Sequence, residues 1–369
     1  MESDTCKTVD GHHFGNKCSM EILRFAHRFF HFESAAWQKV TNGRLVDWKF
    51  AHCLFHESLL PRRQLRRGGI STFEEALKLH EHFKEREASF GIRVIDEENV
   101  SYPDAIRQHI PPERRPALLY LRGADIPPEA FLVGIVGTRS PSMCGEEGAQ
   151  SFAAYLCALR IQVVSGLARG IDTLAHEQSL GIGTVAVLGS EVGNVYPEQN
   201  QELADRILTK GGSLLSPFPL DQVPLPQNFP DRNELIAALS SGVIVIEGAE
   251  KSGAAITGRQ ALAMGKTVVT LTQDFRSSFG RGAIRLQQDG AVLVTKEEEA
   301  VEAIFRRFGG FAGRLPCSAS TLPQKRSFTF QEFQNAAGVS VPEALVLLED
   351  GILQGRIERW GARYRLTRA

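Results

Sequence analysis

The chain has 369 residues, 43% of them hydrophobic, and a formal net charge of −1. That length allows two or three domains, and no stretch approaches the ~20 consecutive apolar residues of a membrane-crossing helix. The near-neutral total excludes a molecule that attracts nucleic acid by bulk charge, so any such site has to be a local basic patch.

The first residues mix Cys6, His12 and His13 with charged side chains and carry no signal-peptide pattern, which predicts a cytoplasmic protein. Six cysteines (Cys6, Cys18, Cys53, Cys144, Cys157 and Cys317) form no C-x-x-C pair and read as reduced structural thiols. The spacing of Cys6, His12, His13 and Cys18 matches no common zinc motif, so no metal is expected. Residues 1–18 read as a disordered tail. Residues 19–90 read as a helical module, because apolar residues recur at three and four in MEILRFAHRFFHF and STFEEALKLHEHF. Ser71 or Thr72 is a plausible N-cap there.

From Gly91 to about residue 310 short apolar runs alternate with helical stretches. The runs are Phe131–Val136, Ile161–Val164, Thr184–Leu188, Gly242–Ile246, Thr267–Leu271 and Ala291–Val294. They are nearly all apolar rather than alternating, as in strands buried on both faces. The predicted fold class is therefore α/β, a doubly wound parallel sheet with helices on both sides. Such sheets bind ligands at the carboxyl ends of their strands.

Two turns at such ends stand out. GIVGTRSP (Gly134–Pro141) ends on Arg139, and SGLARGIDTLAH (Ser165–His176) contains Ser165, Gly166 and Arg169. Small residues let the backbone approach an anion, and a helix N-terminus offers free N–H groups. Two arginine-tipped turns of this kind suggest one long anionic ligand. Arg232 and Asn233 in NFPDRN, and Lys251, Ser252, Gly253, Thr257 and Arg259 after the Gly242–Ile246 run, add to the same basic lip. Phe229 supplies a ring on which a base can stack. The plainer readings are a solvated arginine at any one position and simple N-capping by Ser252. Asp172 and His176, four apart on one helix face, have no adjacent nucleophile and read as a pair that holds the turn.

Phe311–Ser327 is rich in Gly, Ser and Pro, so residues 311–326 read as a linker. Residues 327–369 read as a winged helix: two short helices closed by Gly338 and Gly351, then a hairpin turning at Gly361–Ala362. Arg356, Arg359, Arg363, Arg365 and Arg368 gather in the wing.

Several ordered blocks carry a resemblance to a known family. They are GIRVIDEENVSYPDAI, PALLYLRG, the two glycine turns, VAVLGS with the following YP, NFPDRNELIAALS, VIVIEGAEKSGAAITGRQAL and RGAIRLQQDGAVLV. Over residues 91–310 the chain resembles the DNA-processing protein A (DprA/Smf) family of bacterial natural transformation. The resemblance implies a Rossmann-like domain, an N-terminal module similar to a sterile-alpha-motif fold, and no cofactor. It implies a non-enzymatic binder of single-stranded DNA that protects incoming DNA, loads the RecA recombinase and works as a homodimer, with no membrane partner. The chain departs from the family pattern at Cys144, Pro217, Glu234 and Thr272–Gln273. Glu234, where the family usually has Arg, predicts a weaker DNA surface. The alternative is a nucleotide-metabolite enzyme resembling the phosphoribohydrolases, but those close their glycine turn on Thr-x-x-Glu. Here Thr257 is followed by Gly258, Arg259 and Gln260, without the carboxylate. A dinucleotide dehydrogenase fits less well, since the first turn is not G-x-G-x-x-G.

Overall fold

The computed structural model describes residues 7–9, 12–14, 24, 73–97, 99–127, 130–222, 224–274, 276–306, 327–337, 344, 347–348, 351–352, 357–360 and 363–366. The elements begin with β1 (Lys7–Val9), β2 (His12–Phe14), α1 (Phe73–Ser89), β3 (Ile92–Asp96), α2 (Asp104–His109) and β4 (Leu118–Gly123). They continue with β5 (Leu132–Val136), α3 (Met143–Ala158), β6 (Gln162–Ser165), α4 (Ile171–Ser179), β7 (Val185–Val187), α5 (Gln201–Thr209) and β8 (Ser213–Ser216). Then come α6 (Asn228–Leu239), β9 (Ser240–Val245), α7 (Gly253–Ala263), β10 (Thr267–Leu271), α8 (Ser278–Gln288), β11 (Val292–Val294) and α9 (Glu297–Arg306). The last are β12 (Ser327–Phe328), α10 (Phe330–Ala337), β13 (Ile357–Trp360) and β14 (Arg363–Leu366).

The chain divides into two compact units. The first takes Met1–Glu129, Leu188–Val195 and Ser213–Leu225. In it β4 pairs antiparallel with both β3 and β8. The six-run reading of the sequence did not contain these three strands. The second unit takes Ala130–Val187, Tyr196–Gly212 and Pro226–Ala369. Its strands lie in the order β11-β10-β9-β5-β6-β7, with every pair the register resolves parallel. All six of its strands fall on the predicted apolar runs. This is the Rossmann-like, doubly wound α/β architecture read from the sequence.

Chain order reverses at β5, which lies between β6 and β9. A doubly wound sheet opens its ligand crevice at such a reversal. Serine side chains start three of the surrounding helices. Ser142 accepts from Gly145 N at 3.1 Å, Ser252 from Ala255 N at 3.2 Å and Ser277 from Gly280 N at 2.9 Å. Each answers an amide that the helix itself leaves without a partner.

The core of this unit runs from the sheet, through Val133, Ile135, Val163, Ile244 and Ile246, to Phe152 and Leu156 of α3 and Ile304 and Phe305 of α9. It continues without a break into Phe328, Phe333 and Tyr364. Each such side chain contributes about 1.5–3 kcal/mol when fully buried. The C-terminal strands form a three-stranded sheet in the order β12-β14-β13. Its β13–β14 pair is joined across residues 361–362. The second helix predicted between Val341 and Asp350 lies largely outside the described residues, as do the linker, most of residues 19–72, Cys6 and Cys18. Within the segment read as a tail, β1 pairs antiparallel with β2.

Candidate functional site

Both glycine turns at the switch point fold as predicted, and they pack on each other. The amide of Ile171 donates to the Thr138 carbonyl at 3.2 Å. Gly170 has φ +78°, and a Cβ there would sit 2.5 Å from that same carbonyl oxygen, so only glycine lets the second turn lean on the first. The contact brings the two arginine tips together.

The anion positions inside the turns are filled by the chain's own carboxylates. At the start of α3, the Ser142 amide donates to Glu247 Oε2 at 2.9 Å and the Ser142 hydroxyl donates to Glu247 Oε1. A Cβ on Gly145 would lie 2.4 Å from the Glu247 carboxyl, so glycine is what admits that group. In the second turn, Asp172 Oδ2 accepts from Gly166 N at 3.1 Å and Ala168 N at 3.4 Å. Burial pushes the Asp172 pKa up, while the Arg232 charge and the amides of Ala168, Gly166 and Gly137 pull it down. The sequence reading gave these backbone N–H groups to an external phosphate. The structure gives those of Ser142, Gly166 and Ala168 to Glu247 and Asp172.

A cleft of about 330 Å³ is formed by Arg139, Gly166, Ala168, Arg169, Tyr196, Pro197, Glu198, Gln199, Phe229 and Arg232. Arg139 and Arg169 are exposed, and among the described residues neither forms an ion pair. The Arg139 guanidinium lies 5.4 Å above the Phe229 ring. Tyr196, 48% exposed, tilts toward Phe229 at 56° with ring centroids 5.9 Å apart. The segment carrying Tyr196 is tied to the second turn by Asn200, whose amide donates to Leu167 O at 2.8 Å and Thr173 Oγ1 at 3.0 Å. Two rings beside two unpaired guanidinium groups can stack a flat apolar face while holding an anion.

Of the predicted residues, Arg139, Gly166, Arg169, Phe229 and Arg232 meet in this cleft. Arg232 enters it as a buried side chain, 4% exposed, and not on an open lip. Its Nη1 donates to Gly166 O and to Val187 O, the latter at 3.0 Å, and its Nε donates to Asn233 Oδ1 at 3.0 Å. Ser165 is buried and its hydroxyl donates to Ile135 O at 2.6 Å, so it braces β5 against β6. Thr257 is buried with its hydroxyl on Gly253 O at 3.1 Å, and Asn233 Nδ2 donates to the same carbonyl at 3.4 Å. Ser252 caps α7. Arg259 is half-buried and donates to Glu250 O at 3.1 Å, which leaves Lys251 and Gly253 as the exposed members of that group. None of Asn233, Lys251, Ser252, Gly253, Thr257 and Arg259 lines the cleft.

Asp172 and His176 are both buried, yet they take different partners. His176 Nδ1 lies 2.9 Å from Thr184 Oγ1, whose hydroxyl donates to Val163 O at 2.7 Å. Burial first and the Arg232 charge second push the His176 pKa down to about 3. A ring held neutral in this way braces α4 against the sheet. Glu234 is buried in α6 and absent from the cleft lining. Gln273, at another departure, donates to Ile246 O at 3.2 Å and closes the end of β9. Tyr196, Glu198 and Gln199 were missed from the sequence. The signal available for Tyr196 was a ring just ahead of a proline, after a predicted strand.

The sequence pattern of the DNA recombination-mediator protein A family matches residues 93–305. Protein Smf of Escherichia coli is 39% identical over 189 residues, 51% of this chain and 50% of that protein. The match to this chain thus spans about half the length of that relative. DNA processing protein DprA of Bacillus subtilis is 34% identical over 220 residues, 59% of this chain and 73% of that protein. Among solved structures, DNA processing protein A from Streptococcus pneumoniae superposes with a TM-score of 0.53 at 27% identity, covering 73% of this chain and 97% of that one. DNA processing protein A from Helicobacter pylori, solved to show its single-stranded DNA binding mode, gives 0.52 at 25% identity, covering 59% and 97%. With these matches over the unit that carries the cleft, the chain belongs to the DNA recombination-mediator protein A family, that of the DprA and Smf proteins.

Proposed function

We propose that this chain is a non-enzymatic single-stranded DNA-binding protein that protects incoming DNA and loads RecA during natural transformation. One observation carries the reading: two exposed arginines without ion-pair partners among the described residues flank an accessible Phe229–Tyr196 ring pair in one cleft. Phosphates bind the guanidinium groups and bases stack on the rings, a combination that tolerates any sequence. Lys251 extends the basic surface toward the end of β9. The single-stranded DNA binding mode of the Helicobacter pylori protein supports the same substrate class.

Self-association as a homodimer is part of the proposal. In the second unit β11 is an edge strand, and its Val292 and Leu293, with Ile284 of α8, are about two-fifths exposed. Unpaired edges with apolar side chains favour pairing with another copy. The C-terminal elements, proposed as a winged helix, serve protein contacts more than DNA contacts. No described helix is long and apolar enough to cross a membrane.

One preparation tests the reading. A fluorescent thymidine oligomer is titrated by anisotropy while nucleoside monophosphate hydrolysis is followed in parallel. Tight oligomer binding without hydrolysis is the expected result. Hydrolysis without oligomer binding overturns the proposal in favour of a metabolite enzyme.

A further inference from the structure

The feature that the binding reading leaves unused is the buried charge under the cleft floor. Gly166 is gripped at both of its peptide groups. Its amide donates to Asp172 and its carbonyl accepts from Arg232. A Cβ at Gly166 would lie 2.1 Å from Arg232 Nη1 and 2.8 Å from Asp172 Oδ2, so both charged groups crowd the same face of this one glycine. Three of the five N–H groups of Arg232 are taken, by the carbonyls of Gly166 and Val187 and by the Asn233 side chain. Its guanidinium also lies 5.9 Å from the Phe229 ring centroid, while Arg139 lies 5.4 Å from the same centroid.

The two arginines on Phe229 are therefore unlike. Arg139 is exposed and without an ion pair among the described residues. Arg232 is buried, with the Asp172 carboxylate against the same face of Gly166 to balance it. Burial pushes the Asp172 pKa up and the Arg232 pKa down, and each charge partly offsets this by favouring the ionised form of the other. A buried guanidinium with three donors committed and a carboxylate near it offers a phosphate less than the exposed Arg139 does.

We infer that Arg232, balanced by Asp172, is a positioning residue: it fixes the Gly166 turn and the Phe229 ring as a base-stacking platform and makes no phosphate contact itself. This rests on the single-strand reading of the cleft. Loss of Arg232 is then felt as loss of base stacking, with phosphate binding retained. That outcome is opposite to what its charge and its place in a DNA cleft suggest.

The test uses the full chain, a thymidine oligomer and an abasic oligomer of equal length, each titrated over a salt series. Phosphate contacts appear in the slope of log affinity against log salt, about 1 per lost contact. Stacking appears in the ratio of thymidine to abasic affinity, about tenfold per stacked base. Phe229→Leu sets the stacking loss and Arg139→Gln the slope loss. The neutral double variant Asp172→Asn/Arg232→Gln is expected to behave like Phe229→Leu: the ratio falls about tenfold and the slope holds. Arg232→Lys keeps the charge without the two-carbonyl fork, and is expected to fail in the same way.

The result that overturns the inference is a slope lowered by about 1 with the ratio kept, or full rescue by Arg232→Lys. Either makes Arg232 a phosphate contact and leaves the single-strand reading standing. Wild-type protein that binds neither oligomer ends both. Should the variants melt, the Arg Nε–Hε signals of the wild-type protein decide. Arg139 is expected to shift on adding the abasic oligomer and Arg232 to stay; a shifted Arg232 signal overturns the inference.

Discussion

The second unit carries two groups of arginines, and they differ in what they already hold. Arg139 and Arg169, at the tips of the switch-point turns, are exposed and make no ion pair among the described residues. In the C-terminal hairpin, Arg365 pairs with Glu358 across the strands at 2.7 Å. Arg363 lies 3.6 Å from Glu332 and donates to the Ser327 hydroxyl at 3.1 Å. A phosphate approaching the hairpin has to displace a carboxylate from each arginine, and one approaching Arg139 or Arg169 breaks no ion pair among the described residues. Surface pairs are individually weak, but two in place of none tip a modest electrostatic binding energy. A count of arginines in the sequence favours the wing, with five against the two turn tips; their described partners reverse that order.

The largest effect is expected beneath the cleft rather than in it. His176→Ala leaves a hole between α4 and the sheet and removes the bond to Thr184. A loss of about 3 kcal/mol of stability is predicted from chemical denaturation, with unchanged DNA affinity in the protein that stays folded. The same residue sets a pH dependence. An unfolded histidine titrates near 6.5, while folded His176 resists protonation down to about pH 3. As pH falls through that window the unfolded chain gains a proton that the folded chain refuses, so stability drops, by about 2 kcal/mol at pH 5. Urea midpoints at pH 7 and pH 5 measure this, and His176→Gln is expected to shrink the difference.

Next comes Arg139→Glu. It removes a two-pronged phosphate contact and sets a negative charge against the strand, with an expected loss of about 2 kcal/mol in single-strand affinity. Its melting temperature stays at the wild-type value, because the side chain is exposed. Lys251→Glu is milder, about 1 kcal/mol, since lysine acts as a point charge outside the cleft. Smallest is Arg363→Gln/Arg365→Gln in the hairpin, under about 0.5 kcal/mol in the same assay. A hairpin variant as costly as Arg139→Glu breaks the comparison between the two regions.

Much of this was legible in the sequence. The six parallel strands announced themselves as continuous apolar runs, because strands covered on both faces have no polar side to alternate with. Glycines and arginines marked the switch-point turns for the same local reasons. The antiparallel strands β3, β4 and β8 were not read: polar residues interrupt β3 (IRVID) and bound β8 (SLLS), while β4 (LLYLRG) carries an apolar run as long as those of strands that were read. The occupants of the turns were hidden by distance along the chain. Glu247 reaches Ser142 across 105 positions, and its role as internal anion follows from strand order rather than from any local motif. Arg232 was misplaced for a related reason. Arginine is usually exposed, and its burial depends on carbonyls from Gly166 and Val187 and on the carboxylate of Asp172.

The central claim is that the cleft binds nucleic acid through open guanidinium groups and stacking rings, which require unpaired bases. The most direct measurement is a competition titration of wild-type protein with a single strand and with the duplex of the same sequence over a salt series. The account predicts that single strand wins at every salt concentration, and that its margin survives as salt rises, because stacking is less screened than phosphate contact. Equal affinity for duplex and single strand, both vanishing together with salt, would contradict it.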